Sequence, residues 1–161
     1  VVQSIYGKGS KFTVSLDQKI VATKEKEEIK EKTVVKGNYK GKRVLVVDDN
    51  KLNLKIIDKI VKRYGIDTVL VDSGAACLNL INNNEKFDLI LMDDMMPKMT
   101  GTETIAKLKQ IEGYNIPTIA LTANAISGMK EKYMKAGFDG YLSKPIDKLE
   151  LNRIINDFLN K

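Results

Sequence analysis

The 161-residue chain has no histidine. That absence removes Ser-His and Cys-His nucleophilic pairs and every imidazole-ligated metal site, so any histidine chemistry must be supplied by a partner. A single cysteine, Cys77, excludes an intramolecular disulfide and points to a soluble protein of a reducing compartment. No apolar run approaches the length needed to cross a bilayer. The opening Val1-Val2-Gln3-Ser4 carries no signal-peptide pattern and reads as a start inside a longer polypeptide. The expected compartment is the cytoplasm, with membrane attachment confined to a preceding part of a parent protein.

The formal charge of +6 raises the question of nucleic acid. Residues 1–41 carry nine lysines against five acidic residues, whereas residues 42–161 carry eighteen basic against sixteen acidic. The excess therefore sits in the N-terminal tail. Without aromatic interleaving or a recognisable nucleic-acid module, it reads as solvation, and no direct binding to nucleic acid is expected.

From Lys42 onward, strand and helix signals alternate five times. Strands are predicted at Arg43 to Asp48, Thr68 to Val71, Leu89 to Asp93, Thr118 to Leu121 and Gly140 to Leu142. The first, third and fourth are continuous apolar runs, as strands buried on both faces should be. Between them, Leu52, Leu54, Ile56, Ile57, Ile60 and Val61 mark a first helix closed at Tyr64-Gly65, and Ser73-Gly74 opens a second that ends near Asn82. Thr102 to Ile111, Ser127 to Ala136 and a segment capped by Asp147 supply three more. Such alternation implies right-handed crossovers and a doubly wound parallel α/β sheet with five strands and five helices.

Two of the buried strands end in acid: Asp48-Asp49 after Val44 to Val47, and Asp93 after Leu89 to Met92. Strands lying side by side and parallel would gather these three carboxylates at the crevice where open α/β sheets place their sites. Three such groups repel one another unless a divalent cation or a transferred phosphoryl group belongs there, and the oxygen set suits Mg²⁺. One of Asp48, Asp49 and Asn50 is expected to cap the first helix. Thr122 follows the fourth strand and Lys144 the fifth, on the same rim, where a hydroxyl and an ammonium could each engage a phosphoryl oxygen. The Lys144-Pro145 bond is a candidate cis peptide.

Asp48 and Asp49, Asp93 four places before Pro97, Thr122, and Lys144 before Pro145 together resemble the receiver domain of two-component signalling over residues 42–161. The resemblance implies a flavodoxin-like fold of strand order 2-1-3-4-5. It makes Asp93 the phosphoacceptor, with Mg²⁺ held by Asp48, Asp49, Asp93 and the Met95 backbone carbonyl. A phosphohistidine would be the donor and a histidine-phosphotransfer protein the acceptor. Thr122 would be drawn toward the acyl phosphate, with Tyr141 following from an exposed to a buried rotamer, and Met95 and Asn124 would adjust hydrolysis. Asp94 departs from the family pattern, in which an apolar residue usually follows the phosphoacceptor. It is read as a surface carboxylate pointing away from Asp93. Met92, Met96 and Met99 read as packing, and Cys77 as a small buried filler.

Residues Ser4 to Phe12 resemble the last glycine box and final strands of a histidine-kinase ATP-binding domain. A glycine turn there precedes an alternating strand that runs to Leu16. The implied organisation is a remnant of that domain at 1–20, a charged linker at 21–41 and a receiver at 42–161, in the order of a hybrid histidine kinase. The leading function is phosphorelay. A receiver acting as intramolecular regulator of its own kinase is the alternative, and an aspartyl-phosphate phosphohydrolase a third, disfavoured because Met95 stands where such enzymes commonly place a second acid. A flavin-binding relative is set aside because the first loop is acidic instead of a phosphate cradle.

Overall fold

The computed structural model describes residues 2–15, 39–123 and 129–160. Residues 16–38, which hold most of the charged linker, and the start of the fourth helix at Ser127 lie outside the described residues. The chain divides into two units, Val1–Lys32 and Thr33–Lys161.

In the first unit, β1 (Val2–Ile5) pairs antiparallel with β2 (Gly9–Phe12), Val2 opposite Phe12 and Ile5 opposite Gly9. Gly7 takes φ 76° in the connecting turn, a region that suits glycine. The strand expected to reach Leu16 stops at Phe12, and every described residue of this unit is exposed.

The second unit is built on a five-stranded sheet of β3 (Arg43–Val47), β4 (Asp67–Val71), β5 (Leu89–Asp93), β6 (Thr118–Thr122) and β7 (Gly140–Ser143). The spatial order is β4-β3-β5-β6-β7 with every pairing parallel, which is the 2-1-3-4-5 order expected. Helices α1 (Lys51–Val61), α2 (Gly74–Asn82), α3 (Gly101–Leu108), α4 (Met129–Ala136) and α5 (Lys148–Leu159) cover both faces. One core joins Leu54, Ile57 and Val61 of α1 and Leu151, Ile155 and Leu159 of α5 to Val44, Val46, Leu89 and Leu91. The other joins Cys77, Ile105, Leu108 and Tyr133 to Leu45, Val47, Ile90 and Met92. Because β3 and β5 alternate between these cores, both faces demand apolar side chains and the runs are unbroken.

The strand ends fall within one residue of the sequence reading, and larger differences lie elsewhere. Tyr39, assigned to the linker, is only 1% exposed, packs edge-on against Tyr64 and bonds Asn156 through its hydroxyl, so this unit's core begins before Lys42. Helix α3 starts one residue earlier, at Gly101, and is capped by Thr100, whose hydroxyl accepts from the Glu103 amide while the Glu103 carboxylate accepts from the Thr100 amide, a reciprocal cap. That helix ends at Leu108, and Lys109–Ile111 close it in tighter turns. On α1, Leu52 and Ile56 are exposed, although they were counted among its apolar marks.

Candidate active site

The carboxyl ends of β3, β5, β6 and β7 deliver the site. Asn50 caps α1, its side-chain oxygen accepting from the Leu52 amide at 2.9 Å. Capping is thereby assigned to Asn50, and neither aspartate is used for it. Asp48 is fully buried and accepts from the Asn50 amide at 2.9 Å, from Asn53 Nδ2 at 3.1 and 3.2 Å, and from Lys144 Nζ at 2.7 Å. Asp93, 5% exposed, accepts from the Met95 amide at 3.2 Å and lies 2.8 Å from the same Lys144 ammonium. Lys144 follows β7, its amide bonded to the Thr122 carbonyl at 2.7 Å, and the Lys144-Pro145 peptide is cis.

One ammonium therefore bridges two buried carboxylates from adjacent strands. Asp49 is exposed, and one oxygen from each of Asp48, Asp49 and Asp93 falls within 4.8 Å of the others. Hard oxygen donors that close together, one of them open to solvent, fit a divalent cation of the Mg²⁺ type.

Gly101 sets how closely α3 approaches this strand end. A Cβ there would stand 2.4 Å from the Asp93 carbonyl oxygen and 2.8 Å from the Asp94 Cα. Its amide bonds the Asp94 carbonyl at 3.1 Å. Only glycine permits that backbone contact.

Asp94 corrects the sequence reading. It is not a surface carboxylate: it is 7% exposed, and its hydrogen-bond partners differ from those of Asp93. Its Oδ1 accepts from the Thr102 amide at 3.0 Å and the Thr102 hydroxyl at 2.7 Å, and its Oδ2 from the Tyr133 hydroxyl at 3.1 Å. The Tyr133 oxygen also lies 3.0 Å from Thr122 Oγ1. Tyr141 is half-buried and stacks on Tyr133, with ring centroids 6.4 Å apart. The Met95 side chain is exposed, and Asn124 lies outside the described residues. Met92 and Met96 are buried, and Cys77 is wholly enclosed.

The sequence reading passed over Asn53, Thr102 and Tyr133. Asn53 carries one weak signal, being an amide in the first turn of a helix that begins at an acidic rim. Tyr133 carries none, since the lysines beside it on α4 give the segment the look of a solvated helix.

An open parallel α/β domain with an acidic rim, a bridging lysine and a neighbouring threonine defines a class of phosphoryl-accepting regulatory modules. The family model of the response regulator receiver domain matches residues 44–156, and the chain belongs to that family. It is 36% identical over 144 residues to probable histidine kinase 4 of Oryza sativa subsp. japonica, covering 76% of this chain and 14% of that protein. The chain thus spans about one seventh of that relative's length. It is 33% identical to the receiver domain of sensor histidine kinase PA1611 from Pseudomonas aeruginosa PAO1, solved with magnesium coordinated in the active-site cleft. That match has a TM-score of 0.67 and covers 75% of this chain and 99% of the other. A chain in the co-crystal of the Saccharomyces cerevisiae histidine phosphotransfer protein Ypd1 with the Ssk1 receiver domain is 25% identical. Its TM-score is 0.66, with 74% of this chain and 89% of the other covered.

Proposed function

We propose that this chain is the receiver of a hybrid histidine kinase, taking a phosphoryl group from a phosphohistidine onto Asp93 and passing it to a histidine-phosphotransfer protein. The observation that carries the reading is the Lys144 ammonium held 2.7 Å from Asp48 and 2.8 Å from Asp93, with a third acid alongside. A carboxylate oxygen of Asp93 attacks phosphorus in line; the P–O bond forms as the P–N bond to the donor imidazole breaks, and the imidazole leaves with the bonding pair. Onward transfer is the reverse on another protein's imidazole and regenerates the carboxylate. Asp48, Asp49, Asp93 and the Met95 carbonyl would hold Mg²⁺, which supplies positive charge against the phosphoryl oxygens when bound. Lys144 neutralises a further oxygen, and the Thr122 hydroxyl donates to another, with Tyr141 following it.

A partner must reach Asp93 closely, and the surface beside it is suited to that. Exposed Ile56 borders an apolar hollow of about 120 Å³ lined also by Asn53, Ile57, Lys144, Pro145 and Ile146, and Leu52 is exposed on the same helix. Apolar side chains left exposed next to a reactive group favour docking of another protein. The β1–β2 hairpin at 2–12 supports a kinase ATP-binding domain preceding the receiver.

The test is to incubate the chain with a small-molecule phosphodonor and Mg²⁺, locate the modified residue by mass spectrometry, and then add candidate histidine-phosphotransfer proteins. Modification at Asp93 followed by rapid loss to an acceptor supports the relay. An unchanged intact mass overturns the phosphoacceptor assignment, and a stable phosphoprotein that no acceptor discharges overturns the relay in favour of intramolecular regulation.

A further inference from the structure

Asp48 is a fully buried carboxylate met by three donors, and the three differ in kind. The Asn50 amide reaches one oxygen, at 2.9 Å from Oδ1, and the Lys144 ammonium reaches the other, at 2.7 Å from Oδ2. Asn53 Nδ2 reaches both, at 3.1 Å from Oδ1 and 3.2 Å from Oδ2. A bond to one oxygen leaves a carboxylate free to turn about Cβ–Cγ, a torsion with only a broad preference of its own. A donor nearly equidistant from the two oxygens fixes that turn. Facing a carboxylate, Asn53 must present its NH₂, since its carbonyl has nothing to give an acceptor. The chain places this donor with little freedom. Asn50, bonded to Asp48 through its amide, caps α1 with its side chain, and Asn53 stands three residues on in the first helical turn.

The three donors respond differently to a cation. Lys144 also lies 2.8 Å from Asp93, so its charge occupies the oxygens that a divalent cation would take. A cation entering there repels the ammonium and loosens its hold on Asp48. The Asn53 amide carries no net charge and can stay. We infer that Asn53 is a positioning residue for the metal site, fixing the plane of the Asp48 carboxylate and carrying a larger share of that hold once a cation displaces Lys144. The inference rests on the Mg²⁺ site described above. The hollow beside the site agrees with it: Asn53 and Lys144 are the polar residues of a wall otherwise made by Ile56, Ile57, Pro145 and Ile146, and both direct donors at Asp48. Partners of this kind, which touch a ligand and not the ion, hold ligating carboxylates in place.

The experiment is calorimetric Mg²⁺ titration of the full chain, without phosphodonor, for wild type, Asn53→Ala and Asn53→Leu. Alanine favours the helix and leucine keeps the branched shape, so the pair separates lost donors from lost packing. Both variants should weaken Mg²⁺ binding roughly 10-fold, the lower end of what losing an outer partner of a metal ligand costs. The Mg²⁺ dependence of phosphorylation by a small-molecule phosphodonor gives a second readout. Its half-saturating concentration should rise by the same factor, while the rate at saturating Mg²⁺ stays within about twofold of wild type. A merely structural asparagine would lower the urea midpoint of the Mg²⁺-free chain and leave the Mg²⁺ affinity in place. A loss under about threefold in a folded variant, or tighter binding, overturns the proposal. So does weakening by alanine but not by leucine, which reports packing, and so does a fall in the saturated rate without a rise in half-saturating Mg²⁺. If one variant does not fold, the other decides. Wild type that binds no Mg²⁺ overturns the metal-site reading and this inference with it, whereas wild-type binding that neither variant weakens overturns the inference alone.

Discussion

Lys144 and Asp48 are 96 positions apart in the chain and 2.7 Å apart in space, an ammonium against a fully buried carboxylate. Lys144→Ala leaves Asp48 with the Asn50 amide and Asn53 Nδ2 but without this cation. Breaking an enclosed pair costs about 3–5 kcal/mol. Lys144 keeps one fifth of its side chain in water, so we expect a loss nearer 1–3 kcal/mol in urea unfolding. The same variant should bind Mg²⁺ more tightly, because the ammonium competes for the same oxygens. Its phosphorylation rate should fall roughly 10- to 100-fold, the reach of one charge-assisted hydrogen bond of about 1.5–3 kcal/mol. Weaker Mg²⁺ binding in calorimetry would show instead that the lysine gathers the carboxylates.

Asp93 and Asp94 are neighbours with separate tasks. Asp93→Asn should abolish modification by a phosphodonor, while Asp94→Asn should keep most of it, as read by intact mass and peptide mapping. Asp94→Asn should also be less stable by about 1–3 kcal/mol, since an amide presents a donor where the Thr102 or Tyr133 hydroxyl needs an acceptor. Label found on Asp93→Asn protein would reverse the assignment.

Gly101→Ala tests the contact between α3 and the end of β5. A methyl 2.4 Å from the Asp93 carbonyl oxygen must displace backbone, because neither atom belongs to a flexible side chain. The expected loss is about 2–4 kcal/mol. A change under half a kcal/mol in chemical unfolding would show that the helix slides freely at this point.

Cys77 is buried among apolar side chains, and burial pushes its thiol up to about 12. In the folded chain it should resist alkylation at pH 8 and react once urea exposes it. The folded-state value lies above the ordinary 9.0, so the unfolded chain releases this proton first. Its contribution is fully present below pH 9 and is lost as pH rises toward 12, with a slope of about 1.4 kcal/mol per pH unit. Urea titrations of wild type and Cys77→Ala at pH 8 and 10 should show the shallower decline in the variant.

The places where the sequence was informative share one property. Val44 to Val47 and Leu89 to Met92 are unbroken apolar runs because helices cover both faces of their strands; the first stops at Asp48, just past its strand, and the second at Asp93, the last residue of its strand. The acids at 48, 49 and 93, Thr122 and Lys144 could therefore be located on one rim from the pattern alone. Exposure on α1 was less legible. Six apolar positions occupy more than one helical face, and only packing selects Leu54, Ile57 and Val61 for burial while leaving Leu52 and Ile56 beside the rim. Tyr39 was lost in a lysine-rich segment because a single aromatic has no periodicity to reveal it.

Asp94 was the hardest position to read. Its donors come from 8 and 39 residues further along, and nothing near it in the chain announces them. Local pattern depends on repetition, so the sequence by itself determined what repeats: five alternations of strand and helix, the strand ends, and the kinds of side chain gathered there. Only the tertiary structure decided which carboxylate shares a lysine, which one gathers hydroxyl donors, and which tyrosine reaches the threonine, because each depends on a few atoms brought to about 3 Å by packing of distant segments.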